Sequence, residues 1–330
     1  MTHLDAPIGW GLLGTARINR RVIQAIRAVA GAELRAVASR QGDRAVAYAR
    51  EWAIPASHGS YHALLADPDV DVVYVPLPNS LHVEWTIAAL EAGKHVLCEK
   101  PLALTVEDVD RVAAAAREAG RIAAEGFMYR HHAQTDAAVH LVRDGAVGRV
   151  RVIRGTFTFM LDRQGDVRLE PALGGGSLWD VGCYPVGFAR LVCGAEPLEV
   201  VGRAEIGPTG VDLAFVGQLL FPDAVRASFD CGFLAAYRTA VEISGSEGTL
   251  AIPQPFQPGL DERLRLLHGS EVTEIPVEGG RPLFEDEVDE MTTLVRSGGP
   301  PRVTLADTRG NVATLQALYR SAREGRAITM

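Results

Sequence analysis

The stretch AGKHVLCEKP, residues 92–101, decides the fold: a short apolar strand pattern, His95 to Cys98, ends in a charged pair, Glu99 and Lys100, and then a proline. In an open α/β sheet, ligands bind at the carboxyl ends of the strands, so Lys100 is expected at a cleft where a cofactor lies. The same spacing also suits a solvated lysine paired with Glu99.

Outward from this stretch, the N-terminal third alternates apolar runs with helical patterns, the form of repeated βαβ units. Strands are expected at 8–13, 34–39, 70–77, 95–98 and 121–125, and helices at 18–29, 81–91 and 106–119, the last opened by Thr105. Past residue 126 the pattern changes. A helix at 133–143 and the strand RVRVIRGTFTF lead to Gly174, Gly175 and Gly176, then to a helix at 177–191. Alternating strands with hairpin-type turns such as Phe221-Pro222-Asp223 follow, with no helix until about 283. The class is therefore α/β: a doubly wound parallel sheet over 1–125, and over 126–330 a second α/β domain with an open, mostly antiparallel sheet. The last helix, about 305–323, is expected to pack back on the first domain.

Composition narrows the functions. Thirty-three basic against 41 acidic residues give a net charge of -8 without a basic run, which argues against nucleic acid and anionic membranes as partners. No apolar run reaches the length of a membrane span, and MTHLDAPIGW lacks the regions of a signal peptide, so a cytoplasmic address is expected. The cysteines, Cys98, Cys183, Cys193 and Cys231, form no CxxC pair, and reduced thiols are expected. His131 and His132 have no accompanying cluster at ligand spacing; they read as the start of a helix or a pocket wall, and no metal is expected.

Gly9, Gly11 and Gly14 spell G-x-G-x-x-G, but the first two lie inside the apolar strand, where they could not wrap a phosphate. The loop after the strand is Gly14-Thr15-Ala16-Arg17-Ile18-Asn19, a relaxed version of the dinucleotide turn. Gly14 makes the tight turn, small Ala16 admits a pyrophosphate, and the helix N-terminus stabilises the anion. At the end of the second strand, where a carboxylate would mark NAD, stand Ser39 and Arg40, with Arg44 one turn on. A hydroxyl and guanidinium groups accept a 2′-phosphate, so NADP(H) is preferred, with NAD(H) second. Solvated arginines opening a helix are the plainer alternative.

In DVGCY, Asp180 and Tyr184 lie four residues apart in a helical stretch, which puts both on one face. A phenol, a carboxylate and the Lys100 ammonium suit proton transfer at a carbinol carbon. Asp180 capping a turn, with Tyr184 packed in the core, is the alternative.

Five blocks in this order, GLLGTARI (11–18), VYVPLPNSLH (73–82), AGKHVLCEKPL (92–102), EGFMYRHHAQ (125–134) and GGGSLWDVGCYPV (174–186), resemble the Gfo/Idh/MocA family of glucose-fructose oxidoreductase and inositol dehydrogenase. The D-xylose dehydrogenase, dimeric dihydrodiol dehydrogenase and deoxysugar ketoreductase branch is the most similar. The resemblance spans residues 8–190 and implies a Rossmann domain, then a substrate domain whose open sheet makes a homodimer or a dimer of dimers. It assigns catalysis to Lys100, Tyr184 and Asp180: Tyr184 exchanges the hydroxyl proton, Lys100 favours the phenolate and steadies oxyanion charge, and Asp180 orients Lys100 or a substrate hydroxyl. Pro76, Pro78, Asn79, His82 and Glu99 are implied at the cofactor, and Arg168 near the substrate, with Arg163 less directly matched. Trp179, where smaller apolar residues are common, is expected to alter helix packing or the pocket rim. The implied activity is NADP(H)-dependent oxidation or reduction of a monosaccharide or related polyol. The alternatives are a ketoreductase of nucleotide-linked deoxysugars and a non-catalytic NADP-binding regulator.

Overall fold

A computed structural model of the protein describes residues 6–163 and 165–330. Two compact units emerge. One runs to Met128 and resumes over Pro282–Arg309; the other comprises Tyr129–Arg281 and Gly310–Met330.

The first unit opens with β1 (Ile8–Leu13), α1 (Asn19–Ala28), β2 (Ala32–Ala38), α2 (Gly42–Glu51), β3 (Ala56–His58) and α3 (Tyr61–Leu65). It continues through β4 (Val72–Val75), α4 (His82–Glu91), β5 (His95–Glu99), α5 (Val106–Ala119) and β6 (Ala123–Gly126). Six strands pair in parallel in the order β3-β2-β1-β4-β5-β6. Strand order reverses between β1 and β4, which makes the carboxyl edge there the binding crevice of a doubly wound sheet.

Central strands in such a sheet are covered on both faces, and Trp10, Leu12 and Leu13 of β1 are fully buried. The helices cover them with one apolar stripe each. In α1 that stripe is Val22, Ile23, Ala25 and Ile26, at helical spacing, while Arg20, Gln24 and Arg27 face solvent. Thr105 caps α5 by accepting from the Asp108 amide at 3.1 Å, and Gly120 ends it in the left-handed conformation.

The glycines inside β1 serve packing. A Cβ at Gly9 would collide with the Asp69 carbonyl oxygen, and one at Gly11 would lie 2.9 Å from the Val70 side chain. These residues let the Asp69–Val70 segment close on the strand.

The second unit begins with α6 (Ala133–Arg143), β7 (Val150–Met160) and α7 (Cys183–Cys193). It continues through β8 (Glu199–Ile206), β9 (Asp212–Leu220), β10 (Arg226–Gly232), β11 (Leu234–Gly245), β12 (Thr249–Ile252), β13 (Arg263–His268) and β14 (Glu271–Pro276). After α8 (Glu285–Ser297), which belongs to the first unit, α9 (Leu305–Glu324) crosses the boundary at residue 309, and β15 (Ile328–Thr329) pairs with β8. The sheet order is β14-β13-β12-β11-β7-β10-β9-β8-β15. All its pairings are antiparallel except β7 with β10. Its core centres on rings, with Phe157 stacked on Phe256 at 5.7 Å and Tyr129 stacked on Phe188 at 6.0 Å.

One local difference from the sequence expectation bears on function. The stretch before α7, Leu178–Gly182, is a π-helical turn, not the start of a continuous α-helix. Its wider i→i+5 bonding adds a residue to the turn that leads from Asp180 into α7 and Tyr184.

Candidate active site

The parallel strands of the first unit bring the loops after β1, β2, β4 and β5 to one edge. After β1, Gly14 takes φ +107°, and its amide donates to Ala38 O at 2.9 Å. Only glycine adopts such a conformation readily, and it turns Thr15 to Ile18 back across the end of the strand. Buried Asn19 locks the turn by donating from Nδ2 to Gly14 O at 2.9 Å. At the head of α1, Ile18 makes no capping side-chain bond, and no acidic residue occupies the first turn. Helix amides left without a side-chain cap hold positive partial charge, so a dinucleotide pyrophosphate fits this turn.

The end of β2 supplies the second part. Ser39 is buried, and its hydroxyl accepts from the Gln41 amide at 3.2 Å, which holds the turn from which exposed Arg40 and Arg44 extend. Burial raises the Tyr61 phenol, and the charges of Arg40 and Arg44 oppose that rise. The Tyr61 hydroxyl also lies 3.6 Å from where a Gly14 Cβ would stand. Two guanidinium groups, a phenol and the glycine turn therefore share one corner, a donor set suited to a phosphate. Tyr61 was missed by the sequence reading; nothing in its spacing connects it to Gly14.

After β4 come buried Pro76 and half-buried Asn79, the latter opening a short 3-10 turn. His82 is 1% exposed, and both ring nitrogens face main-chain oxygens: Nδ1 lies 2.8 Å from Pro101 O, and Nε2 lies 2.6 Å from Leu77 O. Burial lowers its pKa, against the pull of those two carbonyls. It braces two loops from beneath.

After β5, half-buried Glu99 and Lys100 precede a cis peptide to Pro101. The buried Tyr74 hydroxyl donates to Glu99 Oε1 at 2.6 Å, and burial together with the Glu99 charge pushes that phenol well above its ordinary value. Glu287 of α8 is also buried, and its carboxyl is raised by burial first and by Glu99 next. Tyr74 is a polar-tipped ring in an otherwise aliphatic strand. That is the one signal in the sequence that could have marked it.

The second unit assembles its own set. Arg168 Nε donates to Asp180 Oδ2 at 2.6 Å, and its Nη1 lies 3.3 Å from Asp166 Oδ1. The Asp180 charge, more than any other cause, raises the Arg168 guanidinium further above its usual range. Arg163 reaches the same Asp166 at 3.6 Å. The Gly176 amide donates to Arg168 O at 2.9 Å, so the glycine turn and the arginine loop are fastened to each other.

Buried Asp212 of β9 sets the head of the π turn. Its Oδ2 accepts from Ser177 Oγ and from the Leu178 amide, both at 2.7 Å, and its Oδ1 accepts from Tyr319 at 2.6 Å. Burial raises its carboxyl despite these donors. A lone acid in the apolar run VDLAFV was the available sign.

Tyr184 is 4% exposed, its ring packed against Phe157 at 5.3 Å, Phe256 at 5.4 Å and Tyr129 at 5.7 Å. Half-buried Trp179 lies against Tyr319 at 5.4 Å, so it contributes to helix packing. His132 caps α6, its Nδ1 accepting from the Gln134 amide at 3.2 Å, and His131 is buried beside it. Among the described residues, no group of three or more His, Cys, Asp or Glu is arranged to hold a metal, and no helix is long and apolar enough to cross a membrane.

Residues 8–127 match the NAD-binding Rossmann-fold model of the Gfo/Idh/MocA oxidoreductases, and residues 135–251 match the C-terminal domain of the same family. The chain belongs to the Gfo/Idh/MocA family. It is similar to the D-xylose 1-dehydrogenase (NADP(+)) 2 of Haloferax volcanii, at 35% identity over 97% of this chain and 99% of that one. Among solved structures it is similar to the aldose-aldose oxidoreductase of Caulobacter crescentus complexed with glycerol. That match has a TM-score of 0.91 and 31% identity, over 98% of this chain and 100% of that one. It is similar also to a 3-ketoreductase of Actinomadura kijaniata in complex with NADP and TDP-benzene: TM-score 0.89, 32% identity, 96% and 98% covered. This Gfo/Idh/MocA member is an NAD(P)-dependent oxidoreductase, with an NAD(P)-binding Rossmann sheet and a second, mostly antiparallel sheet.

Proposed function

We propose that the protein is an NADP(H)-dependent oxidoreductase acting at a carbinol or carbonyl carbon of a monosaccharide or related polyol, in the manner of D-xylose or glucose dehydrogenases. The reading is carried by the Arg40–Arg44–Tyr61 corner beside Gly14, which suits a 2′-phosphate and has no carboxylate at the strand end to repel it. Gly14, Thr15, Ala16, Arg17 and Ile18 bind the pyrophosphate through the turn and the helix head. Ser39, Arg40 and Arg44 bind the 2′-phosphate, while Pro76, Asn79 and Glu99 border the ribose, with His82 shaping their loop.

A bound nicotinamide supplies the hydride acceptor or donor. Tyr184 exchanges the proton of the substrate hydroxyl, and Lys100 stabilises negative charge as it develops there. Asp180, fixed by Arg168, orients a substrate hydroxyl. On this reading the unit ending at Met128 is the cofactor domain, and the nine-stranded unit takes substrate and forms a homodimer or dimer of dimers. Val216, Met160 and Leu234 leave apolar surface exposed on that sheet. The enzyme works in the cytoplasm.

Likeness to the Actinomadura ketoreductase along nearly the whole chain supports one second reading, reduction of a nucleotide-linked deoxyketosugar. Screening NADP+ reduction against aldoses, inositols and trans-dihydrodiols, with NADPH oxidation by a nucleotide-linked ketosugar alongside, separates the two. Turnover of none of these sinks the proposal. Light scattering that reports only monomer at micromolar concentration would remove the dimer.

A further inference from the structure

The turn that carries Lys100 is gripped by side chains on both sides of the lysine. Before it, Tyr74 donates to Glu99 at 2.6 Å. After it, His82 Nδ1 lies 2.8 Å from Pro101 O, and the Leu102 amide donates to Glu125 Oε1 at 2.9 Å. The second Glu125 oxygen accepts from Thr308 Oγ1 of α9 at 2.8 Å. Glu125 is 1% exposed and Thr308 is also 1% exposed.

A buried carboxylate costs free energy that hydrogen bonds only partly offset, and a well-packed apolar residue often serves stability as well or better. One Glu125 oxygen holds a main-chain amide of the Lys100 turn, and the other accepts from a hydroxyl that steadies the carboxylate. Nothing in that pair builds core. It sets where the main chain runs two residues beyond the lysine.

We infer that Glu125, steadied by Thr308, is a positioning residue: it fixes the Lys100-Pro101-Leu102 main chain so that the Lys100 ammonium is presented from one place. The inference rests on the reading of Lys100 as a proton-transfer partner, and its test does not. The sequence has two lysines, Lys94 and Lys100. Lys94 donates to Asp67 O and Val70 O, both at 2.7 Å, and serves as an internal reference.

The experiment uses the full chain with ε-13C-labelled lysine, whose two side-chain signals are assigned with Lys94→Arg, together with amide hydrogen exchange at Leu102. Glu125→Ala and the gentler Thr308→Val should move the Lys100 signal and leave the Lys94 signal in place. They should also speed Leu102 exchange by about tenfold or more, the scale set by losing a charge-assisted hydrogen bond. Glu125→Gln, which can still accept from Leu102 and donate to Thr308, should restore both readouts. Unchanged Leu102 exchange and an unmoved Lys100 signal in Thr308→Val and Glu125→Ala overturn the inference, as does equal movement of both lysine signals. Lys100→Ala with full turnover would overturn only the proton-transfer reading and leave the positioning result standing.

Discussion

Arg168 and Asp180 form an ion pair at 2.6 Å, so the carboxylate nearest Tyr184 in sequence is held by a guanidinium from a loop twelve residues earlier. Asp166, 4% exposed at its side chain, sits on the same guanidinium. One positive charge thus orders two carboxylates, and its loop is tied to the glycine turn by the Gly176 amide. Removing the cation would leave Asp166 to the longer Arg163 contact at 3.6 Å and take the guanidinium from Asp180.

Arg168→Ala should therefore lower turnover by about 10- to 100-fold on whichever sugar the screen yields, the scale of a lost charge-assisted bond. Arg168→Lys should recover little, because an ammonium does not reproduce the planar fork that meets Asp180 and Asp166 together. Steady-state kinetics of the three proteins check this, and parity of Arg168→Lys with the unmodified enzyme would remove the geometric role.

Arg40→Ala should weaken NADP+ binding by about tenfold to a hundredfold and leave NAD+ binding nearly unchanged. Calorimetry with both dinucleotides measures the difference. Equal affinities in the unmodified protein would show that the corner beside Tyr61 does not read the 2′-phosphate.

Tyr184→Phe keeps the ring among Phe157, Phe256 and Tyr129, so its melting temperature should stay within a few degrees of the unmodified protein. Turnover should fall by about 10²- to 10⁴-fold, the range for a general acid-base group. Combined with Lys100→Ala, the loss should be far smaller than the product of the single losses, because the roles proposed for the two residues bear on one proton. Undiminished turnover in Tyr184→Phe disproves the assignment.

Acid stability should report His95. Its Nδ1 accepts from the Ile122 amide at 3.1 Å, and burial, reinforced by Arg121, lowers its pKa from 6.5 to about 4. The unfolded chain takes up that proton near pH 6.5, and the folded chain only near 4. The His95 contribution is therefore complete above about 6.5 and is lost as pH falls toward 4. Urea midpoints measured from pH 7 to pH 4 should decline less in His95→Gln, which keeps an acceptor without the titration. Identical slopes in the two proteins would contradict this account.

The regular parts of the fold were legible because burial on both faces and helical spacing write themselves into the chain. α5 and α6 have the bounds expected from Thr105 and Ala133, and the strand after residue 94 ends at the Glu99–Lys100 pair. What escaped has physical reasons. β3 is three half-buried residues, Ala56–His58, at a sheet edge, with no apolar run to announce it. The π turn at Leu178–Gly182 keeps the same apolar residues as an α-helix would, so composition is blind to it. Asp212, Glu125 and Asp166 are single acids whose partners lie 2 to 183 residues away, and spacing carries no record of such meetings. His82, a motif residue, has both ring nitrogens against main-chain oxygens, of Pro101 and Leu77, and its spacing does not announce those contacts either.

The first unit is closed by residues that come late in the chain. Thr292 accepts from the Trp10 indole at 3.3 Å, and Thr308 reaches Glu125, so β1 and β6 each obtain a partner from Pro282–Arg309. A ribosome making this chain releases all six parallel strands about 150 residues before those partners appear, and at roughly 5–20 residues per second that gap lasts several seconds or more. During it the nascent sheet holds the Trp10 indole without Thr292 and the Glu125 carboxylate without Thr308. Cotranslational folding of this enzyme therefore finishes its first domain only after Tyr129–Arg281, the larger part of the second, has emerged, and a fragment ending at Met128 is an unfinished intermediate.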